Sequence, residues 1–175
     1  KIPSKVSLEL VGSYRRQSES SGDIDVLISS NSQQKELMSK LFENLMKTPV
    51  TNKELTFSSG TTKYMGICKI DKYYRHVDIF YYSEKEYPFA LLFSTGSGQF
   101  NVEMRADAIK KGYSLSEKTL KYNSNKGDPV DENDYLSNIS KKYPETEEDI
   151  FKFLGLKYVK PENRQTGAIQ NLLPI

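Results

Sequence analysis

Gly12-Ser13-Tyr14-Arg15-Arg16-Gln17-Ser18-Glu19-Ser20-Ser21-Gly22-Asp23-Ile24-Asp25-Val26 is the stretch on which the reading of this chain turns. It begins where one alternating run, residues 6–11 (V-S-L-E-L-V), ends, and it closes inside a second, residues 24–29 (I-D-V-L-I-S). Alternation of apolar and polar residues marks both as strands. Asp23 and Asp25 are two apart, so on a strand both side chains leave one face while Ile24, Val26 and Ile28 turn to the core. Two carboxylates that close repel each other and raise one pKa unless a cation neutralises them. A hard divalent ion such as Mg²⁺ suits them, because it prefers oxygen ligands and keeps waters that substrate phosphates can replace. Gly12-Ser13, at the end of the first strand and entering a helical turn, offers backbone N–H groups and a hydroxyl to a phosphate. Arg16 adds a forked, permanent positive charge for the same group. A lone D-x-D is more often a solvated strand edge, and a lone Gly-Ser is a turn. The combination of strand, Gly-Ser, nine residues, then Asp-apolar-Asp opening a second strand is what points to phosphate chemistry.

Outward from this stretch, Leu37, Met38, Leu41, Phe42 and Leu45 recur at three and four, which predicts an amphipathic helix over 33–46. Strand-like runs follow at 50–57, 63–70 and 74–82, joined by turns at Ser58-Ser59-Gly60 and Asp71-Lys72. Ser83 and Glu86 have the spacing of a capping box, with Pro88-Phe89-Ala90-Leu91-Leu92 continuing as helix. A second helix is expected over 99–111, stopped by Gly112. The remainder reads as irregular with short strands, then a helix capped by Thr146 and stopped by Gly155, its acids Glu147-Glu148-Asp149 favouring the helix dipole. The division expected is therefore a strand-rich domain over 1–83 and a smaller helical one over 84–175. The 175 residues allow one ordinary domain or two small ones.

A third carboxylate is sought on a neighbouring strand, and Asp78 in R-H-V-D-I-F is placed for it, mid-strand among Val77, Ile79 and Phe80. A carboxylate there needs a partner, either a metal or an ion pair with Arg75 or a nearby Lys. The lone cysteine, Cys68, excludes a disulfide framework and any multi-cysteine zinc site, and reads as a small buried hydrophobe. Tyr73-Tyr74 and Tyr81-Tyr82 are expected to pack as strand tyrosines in preference to stacking on bases. No stretch approaches the roughly 18 apolar residues of a membrane span.

Taken in order, these residues resemble the family X DNA polymerases, the group of polymerase beta, polymerase lambda and terminal transferase. The likeness lies in G-S-Y-R-R-x-x-E-S-S-G-D-I-D-V-L (12–27), T-K-Y-M-G-I-C (62–68), R-H-V-D-I (75–79), F-A-L-L-F-S-T-G-S (89–97), F-N-x-E-M-R-A (100–106), G-Y-S-L-S-E (112–117) and E-E-D-I-F-x-x-L-G-L-x-Y-x-x-P-E-x-R (147–164). The resemblance implies an α+β fold: a nucleotidyltransferase palm with a mixed sheet flanked by helices, followed by a small α/β thumb. The lyase and fingers parts of the family are not matched by any segment. It implies template-dependent addition of deoxynucleoside triphosphates to a primer 3′ end, on primer-template or gapped DNA, in repair. Asp23, Asp25 and Asp78 would hold two Mg²⁺ ions, for which Mn²⁺ can substitute. Gly12, Ser13, Arg16 and Gly22 would grip the triphosphate. Phe93, Ser94, Thr95 and Gly96 would lie against the sugar, Asn101 and Arg105 would reach the minor-groove edge of the new base pair, and Thr62 and Lys63 would touch the template backbone. A monomer in the nucleus is implied, or a viral or cytoplasmic setting if the source is a large DNA virus.

Departures from the family pattern carry their own expectations. Phe93-Ser94 stands where the sugar-screening pair is Tyr-Phe or Gly-Trp, so ribonucleotide discrimination is expected to differ. His76 replaces the usual Arg two before the third Asp, and is expected to hydrogen-bond Asp78 and impose a pH dependence near about 6–7. Gly98 and Val102 shorten the reach toward base pair and template, which predicts lower fidelity. The short hairpin at 58–61 leaves the template path open. Two other functions compete with the polymerase: nucleotidyl transfer to an RNA end, protein or small molecule, and a catalytically weak DNA-binding module. The formal charge of +2 does not separate them, because it is uneven. Residues 128–149 carry eight acids and two bases, whereas 61–76 carry four bases and one acid. Such local clustering governs phosphate binding more than the total does.

Overall fold

The computed structural model describes residues 6–30, 35–124 and 127–172, and falls into two compact units. The first takes the chain as far as Tyr14 together with Ser18–Glu84; the second takes Arg15–Gln17 and the chain from Lys85. The boundary of the two units thus splits the motif itself, between Tyr14 and Arg15.

In the first unit, β1 (Val6–Leu10), β2 (Asp23–Ser30), β3 (Thr56–Ser59), β4 (Lys63–Ile70) and β5 (Tyr73–Ser83) form a mixed sheet in the order β1-β2-β5-β4-β3. Only β2 and β5 run parallel; the other pairings are antiparallel. A short helix, α1 (Gly12–Arg15), follows β1, and α2 (Lys35–Leu45) follows β2. The start of α2 expected at Gln33 lies outside the described residues. Met38 and Phe42 of α2 enter one core with Ile28, Tyr64, Cys68, Val77, Ile79 and Tyr81. Ile24 and Val26 pack against that core, so the alternation expected of β2 holds and the other face carries Asp23 and Asp25.

The strand expected over 50–57 is mostly not one: β3 begins only at Thr56. Thr48 and Asn52 explain this, since their side chains bind nearby backbone and offer an alternative to the ladder. The Thr51 N–H donates to Thr48 Oγ1 and the Leu55 N–H to Asn52 Oδ1. The segment still flanks β4 irregularly, accepting from the Lys69 and Ile67 N–H groups at the carbonyls of Val50 and Leu55. The Tyr64 hydroxyl anchors it by hydrogen bonds with the hydroxyls of Thr51 and Thr56.

In the second unit, α3 (Tyr87–Thr95), α4 (Gly98–Lys110), α5 (Glu132–Ile139) and α6 (Glu147–Phe153) surround a small antiparallel pair, β6 (Tyr113–Leu115) and β7 (Leu120–Tyr122). Phe89, Phe100, Met104, Ile150 and Phe151 lie at the centre of its core. The helix expected to open at Ser83 starts later in the chain. The ladder with β2 runs on to the pair Ser30↔Ser83, so the chain stays extended there, and α3 begins beyond Glu86 with no side-chain cap. Ser97 caps α4 and Thr146 caps α6, the latter in a reciprocal box with Asp149. Among the described residues no helix is long and apolar enough to cross a membrane. Helix α5 was not expected, although Asp131 caps it and Tyr135 and Ile139 bury one face at helical spacing.

Glu147 is more than a first-turn acid. It is 4 % exposed and accepts from Arg15 Nη1 and Nη2 at 3.1 and 2.9 Å and from Arg164 Nη1 at 2.6 Å. Burial pushes its carboxyl up, but the hydrogen bonds from Arg164 and Arg15 outweigh that and hold it below the usual carboxylate value. Arg164 Nη2 has no hydrogen-bond partner, yet the guanidinium lies 5.6–5.8 Å from the ring centres of Phe100, Phe151 and Tyr158. Removing one member of such a group strands the other buried charges. Glu147→Gln is therefore expected to destabilise the protein by about 3–5 kcal/mol, seen by calorimetry as a clearly lowered Tm. A carboxyl with a depressed native pKa contributes stability above its unfolded value and loses it as pH falls through the native one. The wild-type Tm should thus hold from neutral pH down to about 5, then fall below about 4, and the variant should lose less over that range.

Candidate active site

The parallel ladder of β2 and β5 places Asp25 opposite Asp78 and Asp23 opposite His76. Side chains alternate, so Asp23, Asp25, His76 and Asp78 share the face turned away from the α2 core. On the neighbouring β4, Met65 pairs with Asp78 and Lys63 with Phe80, which adds Lys63 to that face. Asp78 is pushed up from its ordinary value, chiefly by desolvation and further by the charge of Asp23, while Lys63 and His76 pull it down. Arg75, considered as an ion-pair partner, alternates to the other face and lies over the Tyr73 ring. Lys63, expected on the template, sits over the Phe80 ring at 5.2 Å, and the Thr62 carbonyl accepts from the Tyr81 N–H. His76 makes no hydrogen bond to Asp78; its ring lies against Phe57 with centroids 5.8 Å apart, so its influence on Asp78 is through charge.

Gly12 is required by this face. Its φ is +61°, and a Cβ there would stand 2.1 Å from Asp25 Oδ2. The Val11 N–H donates to the Asp25 carbonyl at 2.9 Å, drawing the β1–α1 corner onto β2. Ser13 Oγ and Ser21 Oγ are hydrogen-bonded at 2.7 Å, and Ser21 Oγ donates to the Asp23 carbonyl, closing the connector over the start of β2. Gly22 is exposed with open space around its Cα, so any role it has lies in its backbone N–H.

Within the second unit, Arg15 and Arg16 both reach Thr95. Arg15 Nη1 donates to Thr95 Oγ1 at 2.7 Å and Arg16 Nη1 to the Thr95 carbonyl at 2.6 Å. Thr95 Oγ1 in turn donates to the Leu91 carbonyl. The turn that follows has Gly96 at φ +70°, where a Cβ would meet Arg16 Nη1 at 3.1 Å. Asn101 Nδ2 donates to the Phe93 carbonyl at 2.8 Å, and the Arg105 guanidinium lies 5.0 Å from the Phe93 ring centre and 3.8 Å from Glu117. Phe93, Asn101 and Arg105 line one shallow depression with Phe89, Leu92, Met104, Leu115 and Ser116. Ser94 borders this group on α3 without lining the depression. The structure therefore gathers the expected residues into two groups, carboxylates with Gly12 and Ser13 in the first unit, and Arg16, Thr95, Gly96, Phe93, Asn101 and Arg105 in the second. Sequence reasoning overlooked Arg15 and Arg164 as the partners of Glu147; both stand in segments that carry the family resemblance, but nothing in the sequence pairs them with Glu147.

Among the described residues no three His, Cys, Asp or Glu side chains converge enough to hold a metal ion as they stand. What the backbone supplies is a shared face and register for three hard oxygen donors, and their mutual repulsion at Asp78 is the charge that a divalent cation would relieve.

A mixed sheet bearing three Asp on one face, followed by a helical unit with its own core, defines a palm-and-thumb class of protein. Residues 1–84 match the family described as DNA polymerase beta palm, and residues 90–165 that described as DNA polymerase beta thumb. DNA polymerase lambda of Rattus norvegicus is 34% identical over 164 residues, 87% of this chain and 28% of that protein. DNA polymerase lambda of Arabidopsis thaliana is 28% identical over 173 residues, 91% of this chain and 32% of that protein. A crystal structure of Leishmania infantum polymerase beta, described as a ternary P/T complex, superposes with a TM-score of 0.74 at 32% identity, covering 91% of this chain and 67% of that one. The chain belongs to the polymerase beta family, family X. It spans about a third or less of the curated relatives it matches.

Gly12→Ala is expected to displace the Asp25 carboxylate, since no rotation of the added methyl avoids a 2.1 Å contact. On the function proposed below, nucleotidyl transfer should fall by at least about 100-fold. Far-ultraviolet circular dichroism should show the fold retained.

Proposed function

We propose that this chain carries the nucleotidyl-transfer centre of a DNA-directed DNA polymerase that extends a primer 3′ end on primer-template or gapped DNA, as in gap-filling repair. The observation that carries the reading is the register pair Asp25↔Asp78, with Asp23 on the same face of a sheet whose other face is core. Family membership and the names of the relatives support it. Asp23, Asp25 and Asp78 are the residues that would hold divalent metal, two Mg²⁺ or Mn²⁺ ions in this reading. When bound, the metal supplies charge that eases ionisation of the 3′ hydroxyl and stabilises the departing pyrophosphate.

The chain's own groups do the rest. Asp78 is desolvated, so it is a better proton acceptor than an ordinary carboxylate and the first candidate to take the hydroxyl proton. Lys63, by pulling the same carboxyl down, keeps it ionised and ready to accept. Ser13 and the Gly22 N–H are the proposed ligands of the triphosphate in the first unit, and Arg16 contributes a guanidinium fixed at one nitrogen by the Thr95 carbonyl. Phe93, Ser94, Thr95 and Gly96 are the proposed sugar-side residues, Asn101 and Arg105 the proposed base-pair readers, and Thr62 and Lys63 the proposed template contacts.

Primer extension with all four deoxynucleotides tests the reading. Incorporation that needs template and is abolished by a chelator is expected; none under any condition, with folded protein, overturns it. Asp78→Asn should cut the rate by more than about 1,000-fold. The same variant should be slightly more stable than wild type without metal, by on the order of 1 °C in Tm because the site is open to solvent. His76→Arg tests the charge of that position: a permanent cation there should alter the pH–rate profile through its pull on the Asp78 carboxyl. An unchanged pH–rate profile would show that His76 does not act on Asp78.

A further inference from the structure

Residues 166–172 follow the last position of the thumb match, residue 165, and no step above uses them. They fold back onto the second unit. Ala168 and Ile169 pack against its core, and Asn171 bridges antiparallel to Leu156. The Lys157 N–H donates to the Gln170 carbonyl and the Leu172 N–H to the Gly155 carbonyl, both at 2.8 Å. The segment is also tied to α4 at two places. The Gly167 N–H donates to Glu103 Oε1 and Oε2 at 3.2 and 2.9 Å. Lys111, at the C-cap of the helix, donates through Nζ to Asn171 Oδ1 at 2.7 Å. The same ammonium donates to Asp107 Oδ2 at 2.7 Å and to the Leu154 carbonyl at 2.6 Å.

Glu103, Asp107 and Lys111 recur every four residues, so they form one stripe along α4. Phe100, Met104 and Ala108, each at most 1% exposed, form the buried stripe beside it. Asn101 and Arg105 lie on the other flank: each is two residues from Glu103, about 160° away round the helix. The buried stripe therefore has the proposed base-pair readers on one side and the tail on the other. Apolar burial is non-directional and resists lifting of the helix better than rolling. Hydrogen bonds of fixed length on one flank resist the roll. A roll of about 10° would carry a group roughly 6 Å from the helix axis by about 1 Å, a misplacement large enough to matter for reaction geometry.

We propose that residues 166–172 are a strap that fixes the roll of α4, with Glu103 and Asn171 as positioning residues for Asn101 and Arg105 and so for selection of the matched nucleotide. What α4 reads rests on the polymerase reading, whereas the hold on α4 rests on the hydrogen bonds and packing of the tail. Glu103→Ala/Asn171→Ala is compared with wild type and with Glu103→Gln, whose amide oxygen can still accept from the Gly167 N–H. Hydrogen exchange followed by mass spectrometry reads α4, with β2 and β5 as the internal reference. Exchange through residues 98–111 should be about tenfold faster in the double variant and unchanged in the reference strands. Single-nucleotide insertion on a primer-template reads the consequence. The KM for the matched deoxynucleotide should rise about fivefold and the matched-to-mismatched ratio of kcat/KM should fall about tenfold, with kcat for the matched nucleotide within about twofold of wild type. Glu103→Gln should behave as wild type in both measurements. Loss of folded protein alone would lower kcat and leave KM and the ratio as they are. A wild-type KM and ratio in the double variant would overturn the positioning role, and unaltered exchange through α4 would overturn the strap. If instead the wild type extends no primer while the double variant loosens α4 as described, the polymerase reading falls and the strap stands.

Discussion

Everything chemical in the first unit depends on the register of one parallel ladder, β2 on β5. Side chains repeat every two residues along a strand, so the pairing that sets Asp25 opposite Asp78 also sets Ile24 opposite Val77 and Val26 opposite Ile79. A slip of one residue would push carboxylates into the core beneath α2 and expose the aliphatic residues that hold it together. The hydrophobic face is thus the device that holds the acidic face in alignment. Burying Val77, Ile79 and Tyr81 is favourable by roughly 1.5–3 kcal/mol for each side chain, far more than the repulsion among three partly solvated carboxylates costs. The sheet can bear that repulsion because its other side overdetermines the register.

The second unit solves a similar problem with charge. Glu147 draws Arg15 and Arg164 into the interior and gives each a hydrogen-bonded partner, and three aromatic rings around Arg164 replace part of the hydration it has lost. Arg15 also reaches Thr95, and its neighbour Arg16 reaches the carbonyl of the same residue. The end of α3 and the Gly96 turn are therefore held by two adjacent arginines, one of which is itself fixed by a buried acid. Adjacent residues of like charge have been given different tasks by what surrounds them.

Much of this was legible in the sequence, for identifiable reasons. The alternation around Asp23 and Asp25, the aliphatic setting of Asp78, the periodicity of α2 and the caps at Thr146 and Gly155 are signals that the backbone itself imposes. What escaped reading was set by tertiary contacts or by side-chain competition. Thr48 and Asn52 bend 48–55 away from a strand that its composition favours. Ladder pairing holds Ser83 extended in spite of its capping spacing. Glu147 looked like a helix-dipole acid because neither Arg15 nor Arg164 is near it in sequence. His76 was read as a hydrogen-bond partner of Asp78 because it stands where the family pattern has Arg, whereas Phe57, from a bulged strand, lies against its ring.

Cys68 gives the sheet an internal witness. It is the sole cysteine, it points into the α2 core at 5% exposure, and burial pushes its thiol up from the ordinary value. A thiolate that can react forms only when β4 parts from what covers it. The rate at which a thiol reagent labels the native protein therefore counts openings of the very strand that carries Lys63, at a position outside the carboxylate face and without any probe added to the chain.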